Sequence, residues 1–113
     1  MKTNIIITLQ VEGIHWWGGC NIESVSFLQY AHRHIFHIVC KKAVQHNDRD
    51  IEIISFKRDV LSYLKETYCY GADVCYFKER SCEMIAQELT EKFNLAYCSV
   101  LEDNENGAEV TNS

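Results

Sequence analysis

The chain has 113 residues, 47% of them apolar, with a net charge of −5 at neutral pH. That is enough apolar material for one small packed domain and too much for a disordered chain. The acidic balance argues against a general binder of nucleic acids or anionic membranes. No apolar run approaches the roughly 18–20 residues that cross a bilayer. The run after Met1-Lys2-Thr3-Asn4 is too short for a signal-peptide core, so a cytoplasmic protein is expected. One domain over residues 1–113 is expected, with a tail that frays at about 111–113. A domain this small does not easily enclose a small-molecule pocket by itself.

Residues 5–17 alternate: Ile5, Ile7, Leu9, Val11, Gly13, His15 and Trp17 share one parity, and Thr8, Gln10 and Glu12 the other. This predicts a half-buried strand, ended by Gly18-Gly19. Residues 20–31 form a long connection. A second strand is expected from His32 to about Val44, with His32, His34, Phe36, Ile38 and Cys40 on one side, able to pair antiparallel with the first. The polar stretch 45–50 is a turn. Ile51 to Ile54 reads as an extended lead-in, and Ser55 as the cap of a helix from Phe56 to about Tyr68 with an apolar stripe of Phe56, Val60, Leu61, Leu64 and Tyr68. Residues 69–80 read as an irregular aromatic loop. Ser81 caps a second helix that buries Ile85, Ala86, Leu89 and Phe93 and stops at Asn94. Leu95 to Glu102 is a third strand, residues 103–107 a turn, and Ala108 to Val110 opens a fourth. The order is β-β-α-α-β-β in an α+β domain.

Six cysteines and five histidines invite a metal reading. No two cysteines form a CxxC pair, and without a secretory context free thiols are the better reading, several of them buried as small hydrophobes. The histidines carry more. His32 and His34 are two apart on a strand and aim at one face. His15 joins them if the first two strands pair antiparallel. Three imidazoles and an open position make a catalytic zinc arrangement; the alternative is three ordinary, partly exposed strand histidines. His37 falls on the opposite parity, and His46 in a polar turn.

His15 at the end of one strand, a long loop, and His32-Arg33-His34 opening the next resemble the 6-pyruvoyl-tetrahydropterin and 6-carboxy-tetrahydropterin synthases. Ile54-Ser55-Phe56 falls where that family starts its first helix with hydrophobic-Asp-Phe. Ser81-Cys82-Glu83 followed by Ile85-Ala86 resembles its second helix start, and Val100-Leu101-Glu102-Asp103 its final hydrophobic-x-Glu-Thr segment. The resemblance covers residues 5–110. It implies the tunnelling fold: a ββααββ protomer with a four-stranded antiparallel sheet and two helices on one face, assembled as trimers or hexamers with sites at subunit interfaces. It also implies Zn²⁺ on His15, His32 and His34, and a pterin or purine-like ligand whose 2-amino-pyrimidinone edge is held by Glu102. A carboxylate suits adjacent N–H donors because its two oxygens accept both. Glu102 also shares a parity with the apolar Ala96, Cys98 and Val100.

The chain departs from the family where protons move. The cysteine that should precede the HxH is replaced by Leu28, leaving Cys20, nearer His15, as the candidate nucleophile or base. The Asp-His pair between the helices is reduced to Asp73. Trp16 and Trp17 are additions that could stack on a planar ligand or pack as ordinary aromatic residues. The expected function is a zinc-dependent carbon–oxygen lyase acting on a dihydroneopterin triphosphate-type pterin. The alternative is a protein of the same fold that binds a purine, pterin or nucleotide without turnover. A third is a small oligomeric interaction protein with an incidental HxH.

Overall fold

The computed structural model describes residues 1–112. It is an α+β arrangement of five strands and three helices. In chain order these are β1 (Thr3–His15), a 3-10 helix (Glu23–Gln29), β2 (His32–Val44), α1 (Ile53–Tyr68), β3 (Val74–Lys78), α2 (Cys82–Phe93), β4 (Tyr97–Glu102) and β5 (Asn106–Thr111). The strands form one mixed sheet in the order β3-β1-β2-β4-β5. All neighbours are antiparallel except β3 and β1, which run parallel.

Alternation sets the two faces. Ile7, Leu9 and Val11 of β1, Phe36, Ile38 and Cys40 of β2, and Cys98 and Val100 of β4 are buried in one core with Phe56, Val60, Leu64 and Tyr68 of α1 and Ile85, Ala86 and Leu89 of α2. Both helices therefore cover the same face. The register places Ile7 opposite Cys40, Leu9 opposite Ile38, and Val11 opposite Phe36. Two glycines are required by close approach. A Cβ on Gly13 would lie 2.7 Å from the Phe36 and Phe77 rings, and one on Gly107 would lie 1.8 Å from the Val100 carbonyl oxygen.

The structure corrects four expectations. First, β1 ends at His15 rather than Trp17, because the Trp16 and Trp17 amides leave the ladder to donate to the carbonyls of Lys78 (2.8 Å) and Leu28 (2.6 Å). Second, α1 starts at Ile53, and its cap is Glu52, not Ser55. The Glu52 carboxylate accepts from the Ile54 amide at 2.7 Å and the Ser55 amide at 2.9 Å, which holds its carboxyl below the usual value. Third, residues 74–78 of the supposed loop are β3, whose Cys75 and Phe77 point into the core while Tyr76 and Lys78 point out. Val-Cys-Tyr-Phe is a β-prone run, and pairing with residues 12–15 of β1 fixes it. Fourth, the sheet has this fifth strand and is mixed, where four antiparallel strands were expected.

Other features match. Ser81 caps α2 by accepting from the Met84 amide at 3.2 Å, and Asn94 ends it in the left-handed conformation at φ 52°. β5 begins at Asn106, earlier than expected, and runs to Thr111, which pairs with Tyr97. Of the tail expected to fray, only Ser113 lies outside the described residues.

Candidate metal centre

At one end of the helix-covered face, His15 lies opposite His32, and Gly13 opposite His34. The missing side chain at Gly13 leaves room for the Phe36 ring, which meets His15 and His34 edge-on at centroid distances of 5.2 and 5.9 Å. The three imidazoles stand 4.5–5.5 Å apart, centroid to centroid. On β4, Glu102 lies opposite Phe36, so its carboxylate enters the same cluster. One potential ligand atom from each of His15, His32, His34 and Glu102 lies within 4.8 Å of the others.

Each imidazole is oriented through its Nδ1. His15 Nδ1 is 2.9 Å from the Arg80 carbonyl oxygen, His32 Nδ1 is 2.8 Å from that of Tyr30, and His34 Nδ1 is 2.7 Å from Asp103 Oδ2. Those partners only accept, so each Nδ1 carries the hydrogen and donates it. The three Nε2 atoms are then bare lone pairs. Nε2 of His32 is buried with no hydrogen-bond partner, and the buried Nε2 of His15 faces only the Glu102 carboxylate, itself an acceptor. A buried acceptor left unmatched costs roughly 1–3 kcal/mol, and a metal ion removes that cost. Outer-shell oxygens on the far ring nitrogen also fix tautomer and orientation in metal-ligating histidines. The residues present fit a metal ion on both counts, and the donor set alone does not name the metal.

The His15–Glu102 contact carries the electrostatics. Nε2 is 2.8 Å from Glu102 Oε2, and His34 Nε2 is 3.5 Å from Oε1. Burial pulls the His15 imidazole down, but the Glu102 carboxylate and the Arg80 carbonyl more than offset it, and its pKa is raised. The reciprocal contact with His15, helped by the charges of His34 and His32, holds the Glu102 carboxyl low against its burial. The contact thus favours the charged form of each partner.

Side-chain and backbone contacts frame the site. Arg80 Nε is 3.4 Å from Glu88, whose carboxylate also accepts from the Tyr63 and Tyr68 hydroxyls. Lys78 adopts a left-handed φ of 59°, a conformation costly for a side chain without a local polar partner. It turns the chain so that the carbonyls of Lys78 and Arg80 reach Trp16 and His15. Asp103 serves twice: Oδ1 accepts from the Ile35 amide at 3.0 Å while Oδ2 holds His34.

A cavity of about 490 Å³ adjoins the cluster, lined by His15, His32 and Glu102 together with Trp16, Trp17, Cys82 and the 79–84 segment. Of the residues singled out from sequence, the structure brings together His15, His32, His34, Glu102 and Trp16. It does not bring in Cys20 or Asp73, which line neither the cavity nor the cluster. The Cys20 thiol is turned to the carbonyls of Val25 and Ile22, at 3.6 and 3.8 Å. Asp73 is exposed, 3.7 Å from Lys65 Nζ. Glu102 lies among the imidazoles and also lines the cavity. Sequence reasoning missed Cys82 as a site residue: its Sγ is 3.8 Å from Glu102 Oε2. Burial, then the charges of Glu102 and Glu83, push this thiol up to about 12, so it stays protonated at neutral pH. Its place one residue after the α2 cap was the available signal.

The fold and site together define an α+β chain with a three-histidine, one-carboxylate cluster able to hold a metal ion. No protein-family model matches the chain, and no curated protein matches it.

Proposed function

We propose that this chain is a tunnelling-fold, zinc-dependent protein of the 6-pyruvoyl/6-carboxy-tetrahydropterin synthase type, acting on a dihydroneopterin triphosphate-like pterin. The observation that carries the reading is the convergence of three Nε2 lone pairs, each imidazole locked through Nδ1 by an oxygen acceptor. The antiparallel run β1-β2-β4-β5, in sequence order and with both helices on one face, supports the ββααββ plan, with β3 as an added edge strand. A zinc ion bound by His15, His32 and His34 would acidify hydroxyl or carbonyl groups of a side chain placed against it. Trp16 and Trp17 line the adjoining cavity and offer faces for stacking a flat ring. Cys82, protonated and in the cavity wall, holds its proton too tightly for acid–base work near neutral pH and offers only a weak S–H hydrogen-bond donor. The cavity is open, and a neighbouring copy in a trimer or hexamer would complete its wall.

A second reading keeps the metal and ligand but not the turnover. The observation that favours it is the exclusion of Cys20 and Asp73 from the cavity, since positioned acid–base groups typically supply about 10²–10⁴-fold in rate. One experiment separates the two. Purified protein is analysed for bound metal and incubated with dihydroneopterin triphosphate, and triphosphate release is followed. Stoichiometric zinc with release supports the synthase reading. Zinc with tight pterin or guanine binding and no release selects the second. Absence of both metal and ring binding rejects both.

A further inference from the structure

The synthase resemblance assigns Glu102 to the edge of a heterocycle. We infer instead that Glu102 is the fourth protein ligand of the metal held by His15, His32 and His34, an inference that rests on the metal centre proposed above.

Three independent observations lead there. The first is register. Glu102 pairs with Phe36, the next inward-facing position after His34 on β2, and His34 itself faces Gly13 two residues before His15. The four side chains thus occupy adjacent inward positions on three neighbouring strands. The second is distance. Oε2 lies 2.8 Å from His15 Nε2 while Oε1 lies 3.5 Å from His34 Nε2, so the two oxygens are split between two imidazoles rather than turned outward as a pair. A carboxylate that grips a ring edge needs both oxygens pointing at the same partner.

The third is the chemistry of the contact. The Arg80 and Asp103 oxygens fix the hydrogens of His15 and His34 on Nδ1. In the neutral tautomers their Nε2 lone pairs then face carboxylate oxygens, a contact that only a second proton or a cation relieves. Acceptors of like polarity gather at these distances around a cation. A divalent ion among three neutral imidazoles and one carboxylate keeps a single net positive charge, and it meets a mixed nitrogen–oxygen donor set common for zinc. Cys82 adds a weak donor to Oε2 from the cavity wall at 3.8 Å, so the carboxylate is supported on both sides.

The assignment changes what the site does. With Glu102 bound, the metal has four protein ligands. A cavity ligand reaches the metal only if Glu102 swings away or the coordination expands to five. Glu102 then controls access to the metal, and ring recognition falls to other polar groups of the cavity.

The test compares zinc affinity, by competition with a chromogenic chelator, and the visible absorption of the Co²⁺-loaded protein, across the wild type, Glu102→Gln, Glu102→Asp, Asp103→Asn and His32→Ala. Glu102→Gln keeps the size and removes the charge. It is expected to lose about 100-fold or more in zinc affinity and to alter the Co²⁺ band, with Glu102→Asp in between. Asp103→Asn, which only disturbs an orienting partner, is expected to lose about 10-fold with the band retained, the low end of outer-shell effects. Unchanged affinity and an unchanged Co²⁺ band in Glu102→Gln, with binding abolished in His32→Ala, overturn the inference and leave the metal centre standing. If circular dichroism shows Glu102→Gln unfolded, unchanged affinity and band in Glu102→Asp overturn it equally. Wild-type protein that takes up neither ion overturns both readings.

Discussion

The helix-covered face of the sheet has two ends built from the same three strands. At one end Ile7, Cys40 and Cys98 lie side by side across β1, β2 and β4 and are almost wholly buried. At the other, the same parity brings in His15, His32, His34 and Glu102. Phe36 and Ile38 stand between. Alternation sets only the direction of a side chain. What it meets there decides the rest. The dry end demands neutral groups: contact with Cys40 and burial push the Cys98 thiol far above its ordinary value. The histidine end tolerates four ionisable groups because backbone carbonyls and Asp103 satisfy one ring nitrogen of each imidazole and leave the other free.

The sharpest way to break this contrast is to remove the ligands. His32→Ala with His34→Ala is expected to abolish metal uptake, measured by elemental analysis, while far-UV circular dichroism stays that of the wild type, because neither ring belongs to the apolar core. Retained stoichiometric metal would dissolve the distinction between the ends. The reverse experiment is Ile38→Ala at the dry end. Ile38 is 1% exposed, and deleting a fully buried aliphatic side chain costs about 2–5 kcal/mol. Denaturant unfolding should show that loss while metal affinity in the folded protein holds. A mutant that loses metal affinity at unchanged stability would mean the two ends are not separable.

The remaining effect is alkaline and leaves neutral pH untouched. The Cys75 thiol is raised from 9.0 to about 12 by burial and by Cys69 beside it. A raised acid is neutral when folded, so its contribution is complete below the unfolded pKa and is lost as pH rises through the folded one. Stability should fall between about pH 9 and 12, at up to about 1.4 kcal/mol per pH unit for such a thiol. Cys75→Ala should flatten the slope in urea titrations at stepped pH. An equal slope in the mutant would assign the alkaline loss to other groups.

The legible parts of the molecule are those a strand's period writes into the chain. His15, His32 and His34 share the parity of the core residues, and two long alternating runs point to an antiparallel pair. The Ser81 cap and the Asn94 stop are residue types with strong positional preferences. The rest depends on contacts between distant segments. Glu102 reads as inward-facing, but its place among the imidazoles follows from the β2–β4 register, which spans two helices and a strand. The Arg80 and Tyr30 carbonyls that orient two rings are backbone atoms and leave no mark on residue identity. Glutamate is not among the preferred cap types, so Glu52 gives no cap signal in the sequence. β3 is only five residues long and exists by pairing with the last four positions of β1. Cys20 is near His15 in sequence, yet its loop turns the thiol to its own carbonyls.

Asp103 and Asn104 both take left-handed backbone angles, φ 53° and 57°, and the Glu105 amide returns to the Glu102 carbonyl at 2.9 Å. This is the type I′ geometry that joins β4 to β5. The residue that grips His34 is therefore the apex of a hairpin whose second strand lies at the sheet's margin. Margins open more readily than centres, and a ligand that binds only the closed form stabilises it in return. Metal held by these histidines thus acts as a clasp on the hairpin. Metal loading should then slow amide exchange along Asn106–Thr111 more than along β1.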